Sequence, residues 1–122
     1  MKEVVIVSAV RSPMGRAYKG NFAFTRADDL GSDVVKACLA KTPEVDPKEI
    51  EDFIVGCAMP EGEQGMNLAR NVGLLAGLPL DVAAVTVNRF CSSSLVTIMM
   101  AAQGIMANCG DVRQLALLVP AG

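Results

Sequence analysis

Asn88-Arg89-Phe90-Cys91-Ser92-Ser93-Ser94 is the stretch from which the rest of the chain can be ordered. A short β-type run, Ala83-Ala84-Val85-Thr86-Val87, precedes it, and a long helical pattern begins near Ser92. A strand feeding a helix through a turn is the building unit of α/β folds. A cysteine in that turn lies beside unpaired backbone N–H groups and the positive end of the helix dipole, which favour the thiolate. The thiolate is the nucleophilic form of the residue, so Cys91 reads as a candidate catalytic nucleophile. Free cysteine is more often a small buried hydrophobe, and serines suit helix starts as caps. The residues by themselves leave both readings open.

The sequence contains no histidine. Enzymes with a cysteine nucleophile commonly hold the thiol against an imidazole. Any base for Cys91 is therefore another residue type or lies outside these 122 residues. No Asp, Glu or Lys falls between Phe90 and Gly110 to serve locally.

Working outward, the apolar β-branched run over residues 3–10 predicts a buried strand. Residues 11–25 hold Pro13, Gly15, Gly20 and Asn21, the chemistry of a loop. Residues 27–41 predict a helix, with Leu30, Val34, Val35, Cys38 and Leu39 on one face. Asp46 then Pro47 is a cap followed by a first-turn proline, opening one short helical turn. A second strand is expected over 52–58 and a loop with Glu61 and Glu63 over 60–65. A second helix over 67–76 stops at Gly77, with Pro79 just beyond. A third strand over 84–88, a third helix over 92–108 and a fourth strand over 114–119 complete a β-α-β-α-β-α-β order. That alternation implies an α/β fold with a mostly parallel sheet and helices on its faces.

The third helix carries no charged residue between Ser92 and Asn108. A helix apolar nearly all round should be buried on several sides. One sheet covers only one side, so a second layer is expected from more sequence or another chain. Met99, Met100 and Met106 read as fillers of that packing. Asn67 and Arg70 lie on the second helix and are candidate ligand contacts, but a salt bridge or a contact between subunits is the expected role; Glu61 and Glu63 read as a solvated loop.

Composition excludes several classes. The formal net charge is −2 and charged residues are 20% of the chain, so there is no basic footprint for nucleic acid. One tyrosine and no tryptophan leave no stacking platform for single strands. The uncharged stretch over 91–110 includes six polar side chains, too many for a span of ~20 apolar residues. The N-terminus leads straight into a predicted strand without a signal-peptide layout. Cys38, Cys57, Cys91 and Cys109 form no CxxC and have no His partner, so no metal site is expected. Reduced thiols in the cytoplasm are the expectation.

The chain resembles the N-terminal part of a thiolase of the degradative 3-ketoacyl-CoA type. The residues that carry the resemblance are Val7-Ser8-Ala9-Val10-Arg11-Ser12-Pro13 with Gly15-Arg16, then Gly56, then Pro60-Glu61-Gly62-Glu63-Gln64-Gly65-Met66-Asn67. Ala69-Arg70, Ala76-Gly77-Leu78-Pro79 and Val85-Thr86-Val87-Asn88-Arg89-Phe90-Cys91-Ser92-Ser93-Ser94-Leu95 follow. The resemblance runs from about residue 4 to Asp111, and residues 113–122 match the family poorly.

The resemblance implies a thiolase-like fold of two halves in α-β-α-β-α layers, with the helix after the nucleophile buried in the shared middle layer. Residues 1–122 would then be an incomplete N-terminal domain whose C-terminal half is absent. It implies that Cys91 attacks the keto carbon of a 3-ketoacyl-CoA, that acetyl-CoA leaves, and that a second CoA takes the acyl group. The Cys91 N–H would help to stabilise the oxyanion. CoA and acyl-CoA enter as substrates, with no bound cofactor. The family's activating histidine, its second cysteine and its CoA-gripping segments lie in the other half, so the chain alone is expected to be inactive. Thiolases dimerise near the nucleophile through the strand matching 84–88, which implies an oligomer. Two other readings stand beside this one: a non-catalytic thiolase-like interaction domain, and a ketoacyl synthase relative, against which the Arg89-Phe90-Cys91-Ser92 context argues.

Overall fold

The computed structural model describes residues 2–107 and 114–118, the latter as backbone alone. Helix α1 (Ala27–Ala40) is the first helix or strand. Asp28 and Asp29 in its first turn suit the positive helix end. Val35 and Cys38 are buried on its inner face, with Val34 and Leu39 partly so. Asp46 accepts the Lys48 N–H at 3.0 Å and starts the 310 turn Pro47–Glu49.

Strand β1 (Asp52–Gly56) follows, then a 310 turn over Gly62–Gln64, helix α2 (Leu68–Ala76), strand β2 (Ala83–Val87), helix α3 (Ser93–Met106) and strand β3 (Gln114–Leu118). The sheet order is β2-β1-β3 and both pairings are parallel. Asp52 registers with Ala83 on one side and Gln114 on the other. Central β1 is buried on both faces, as parallel strands flanked by helices are. Phe53, Val55 and Cys57 join Val35, Leu68, Ala69, Val72, Leu78 and Val82 in one apolar core beneath α1 and α2. Gly56 turns to the opposite face and abuts α3. The chain moves from β1 to β2 in one direction and from β2 to β3 in the other. Crossovers of one hand then place α2 and α3 on opposite faces.

Helix α2 ends as its glycine predicts. Gly77 has φ +86°, its N–H donates to the Leu74 carbonyl at 3.1 Å, and the Leu78 N–H donates to Gly73 at 2.9 Å. This is a Schellman closure, and buried Leu78 packs back toward Gly73.

The expected first strand does not form. Residues 3–10 pair with no strand among the described residues, and Val5, Ile6 and Val7 are exposed. A β-branched run has strand propensity, but a strand also needs a ladder partner, and residues 3–10 take none, although β2 and β3 are each paired on one side only among the described residues. The order is therefore α-β-α-β-α-β among the described residues.

Helix α3 meets the sheet through small residues. Ser93, Thr97 and Ala101, four apart, are buried, whereas Leu95, Ile98, Met99, Met100 and Met106 are exposed. The three methionines are not core fillers here: the single sheet covers one side, and they lie on the other.

Candidate active site

The site grows from the carboxyl end of β2. Val85, Thr86 and Val87 favour extended backbone, and the Cys57 N–H, just past β1, donates to the Val87 carbonyl at 3.0 Å as the last link between the two strands. Asn88 then turns the chain: its Oδ1 accepts the Phe90 N–H at 2.8 Å. A 310 turn over Phe90–Ser92 leads into α3. Cys91 sits in that turn, just before the helix, and is exposed. Loops at the carboxyl ends of parallel strands are where open α/β sheets bind ligands.

Ser93 helps Asn88 to hold a strained turn. Ser93, almost fully buried, accepts the Arg89 N–H at 2.9 Å and donates to the Phe90 carbonyl at 2.6 Å. Phe90 has φ +45°, a left-handed conformation that costs a non-glycine residue about 1–3 kcal/mol. Behind the turn, a Cβ at Gly56 would lie 2.7 Å from Ser93 C and Ser94 N. Only glycine lets the start of α3 approach β1 so closely.

Arg89 is the one charged residue between Asp81 and Asp111 in the sequence, so no carboxylate neighbours Cys91 along the chain. Of the other thiols, Cys38 and Cys57 are buried, Cys57 lying 3.5 Å from Gln64 Oε1. Cys109 lies outside the described residues.

Asn67 and Arg70 have structural partners that the sequence did not reveal. Arg70 donates to the carbonyls of Val82 at 2.8 Å and Leu80 at 3.0 Å, so its guanidinium clamps the approach to β2 rather than forming the expected salt bridge. Asn67 caps α2 by accepting the Arg70 N–H, accepts the Thr86 hydroxyl, and donates to the Ala84 carbonyl. Thr86 in turn accepts the Ala69 N–H at 3.0 Å. Glu63 lies 3.6 Å from Arg26, which also pairs with Asp28 at 2.9 Å.

The sequence profile of "Thiolase, N-terminal domain" matches residues 4–116. A 3-ketoacyl-CoA thiolase of Bacillus subtilis is 53% identical over 111 residues, 91% of this chain and 28% of that protein. A 3-ketoacyl-CoA thiolase of Idiomarina loihiensis is 49% identical over 112 residues, 92% of this chain and 29% of that protein. One of Vibrio vulnificus matches to the same extent. The α/β fold and the cysteine turn thus lie within the span of one recognised domain family. The chain belongs to the thiolase family and corresponds to its N-terminal part. It spans less than a third of the length of these curated relatives. No helix among the described residues is long and apolar enough to cross a membrane.

Proposed function

We propose that this chain carries the acyl-accepting nucleophile of a 3-ketoacyl-CoA thiolase, and that Cys91 is that nucleophile. The observation that carries the reading is an exposed cysteine at the β2–α3 turn, inside a family match that spans it. The Cys91 thiolate attacks the keto carbon of a 3-ketoacyl-CoA. The bond between C2 and C3 breaks, its electron pair passes to C2, and protonation there releases acetyl-CoA. The thiolate of a second CoA then attacks the acyl-cysteine and regenerates Cys91. Backbone N–H groups at the helix start are suited to the charge on the tetrahedral oxygen. This is the thiolytic step of fatty acid β-oxidation, with CoA and acyl-CoA as substrates. Free thiols at Cys38, Cys57 and Cys91 suit a reducing compartment such as the cytoplasm.

With no histidine in its sequence, the chain alone should not turn over a 3-ketoacyl-CoA. The test of the nucleophile is chemical. Iodoacetamide should alkylate Cys91 faster in the folded chain than in the same chain unfolded in urea at the same pH. An equal or slower folded rate would remove Cys91 from the role. Release of acetyl-CoA above that of a Cys91→Ser variant would show that no further residues are required. A second reading, a non-catalytic interaction domain, is favoured by the open apolar side of α3.

A further inference from the structure

We propose that Asn88 and Ser93 are positioning residues for Cys91, and that their side-chain oxygens hold the Phe90 turn in the form that aims the thiol. The inference rests on the reading of Cys91 as the nucleophile and adds the device that orients it. Phe90 keeps its left-handed backbone although the residue is 68% exposed. Packing of the ring therefore does not hold the turn. Three hydrogen bonds do: Asn88 Oδ1 accepts the Phe90 N–H, Ser93 Oγ accepts the Arg89 N–H, and the Ser93 hydroxyl donates to the Phe90 carbonyl. Both faces of the Phe90 peptide group are thus tied, one from each flank of Cys91. Ser93 is buried at 3% exposure with both functions of its hydroxyl in use. It is itself fixed against β1, because its backbone passes close over Gly56. The line of support runs from the β1 backbone through Ser93 to the turn, and from the turn to Cys91.

Ser92, the residue before α3, makes no side-chain cap. The buried hydroxyl at position 93 instead reaches backward over the cysteine. That use is not explained by capping the helix, and it is what a nucleophile needs, since misplacement by ~1 Å can cost ~100-fold in rate.

The experiment compares Cys91 alkylation by iodoacetamide in the parent chain, Asn88→Ala, Ser93→Ala, and each variant combined with Phe90→Gly. Loss of one net hydrogen bond shifts the population of the turn by roughly fivefold. The Cys91 rate should fall by about that factor in Asn88→Ala, which loses one bond, and further in Ser93→Ala, which loses two, toward the rate of the unfolded chain, while Cys38 and Cys57 stay protected. Glycine adopts the left-handed turn without steric cost, so Phe90→Gly should restore most of the lost rate, which a general loosening of the fold would not permit. Asn88 is exposed, so Asn88→Ala decides the matter if Ser93→Ala does not fold. A fast parent with an unchanged Asn88→Ala rate overturns this inference alone. A parent that labels no faster than its unfolded form overturns the nucleophile reading and this inference with it.

Discussion

Replacing Gly56 by alanine tests the contact on which the site is built. A Cβ there would lie 2.7 Å from Ser93 C and Ser94 N and 2.9 Å from Ser93 O. Ordinary contact begins at 3.4 Å, so these atoms must withdraw by about 0.7 Å, the difference between 3.4 and 2.7 Å. All three are backbone atoms, and no side-chain rotation relieves the clash. Either α3 moves off the sheet or β1 bends, and overpacking of this kind costs about 1–3 kcal/mol. A loss of about 2 kcal/mol lowers the folded-to-unfolded ratio roughly 30-fold. It should lower the urea midpoint by about 1 M for a slope near 2 kcal/mol/M. The retreat carries Ser93 with it, so Cys91 alkylation should slow as well. Urea titration followed by circular dichroism and timed labelling with peptide mapping read both effects. If Gly56→Ala matches the parent in midpoint and in Cys91 rate, the close approach of α3 to β1 is wrong, and with it the support assigned to the cysteine turn.

Removing the Arg70 guanidinium (Arg70→Ala) leaves the Leu80 and Val82 carbonyls without their donor, and should destabilise the chain by about 1–3 kcal/mol, read as a lower urea midpoint; an unchanged midpoint would mean that water replaces the clamp at no cost. The hydrogen bond from Arg26 holds the Asp28 carboxyl below its ordinary 3.8, against the opposing effect of its burial. A carboxyl whose value is lowered on folding adds stability that is present above about 3.8 and is lost as the pH falls through the lowered value. Asp28→Asn should therefore destabilise at pH 7 and differ progressively less from the parent below about pH 4; a difference as large at pH 3 would refute the assignment. The open apolar side of α3 and the exposed Val5, Ile6 and Val7 should drive association, so light scattering after size exclusion should show more than one chain per particle. A monodisperse monomer that binds no hydrophobic dye would show that these surfaces are covered within the chain.

Most of the elements were legible from residue patterns. The helical spacing of Val35 and Cys38, the Asp46-Pro47 start, the Gly77 stop and the β-branched core of β1 each act over a few residues. Local steric and hydrogen-bonding preferences are enough to mark such features. The position of Cys91 between a strand and a helix was legible for the same reason.

What the amino-acid sequence by itself determined is the family, the parallel α/β character and the candidate nucleophile. These rest on residue identities and short-range periodicity. What only the tertiary structure decided is which partner each group meets. Residues 3–10 have strand chemistry, but they pair with no strand among the described residues. Helix α3 is apolar nearly all round, and only packing chose Ser93, Thr97 and Ala101 as its inner stripe. Arg70 carries a charge that suggests an ion pair, yet it faces two carbonyls brought within reach by the α2–β2 connection. Ser93 looks like a cap, and the close approach at Gly56 makes it a brace for the cysteine turn. In each case the deciding contact joins segments that local sequence pattern does not link, because chain geometry and the competition for buried surface select it.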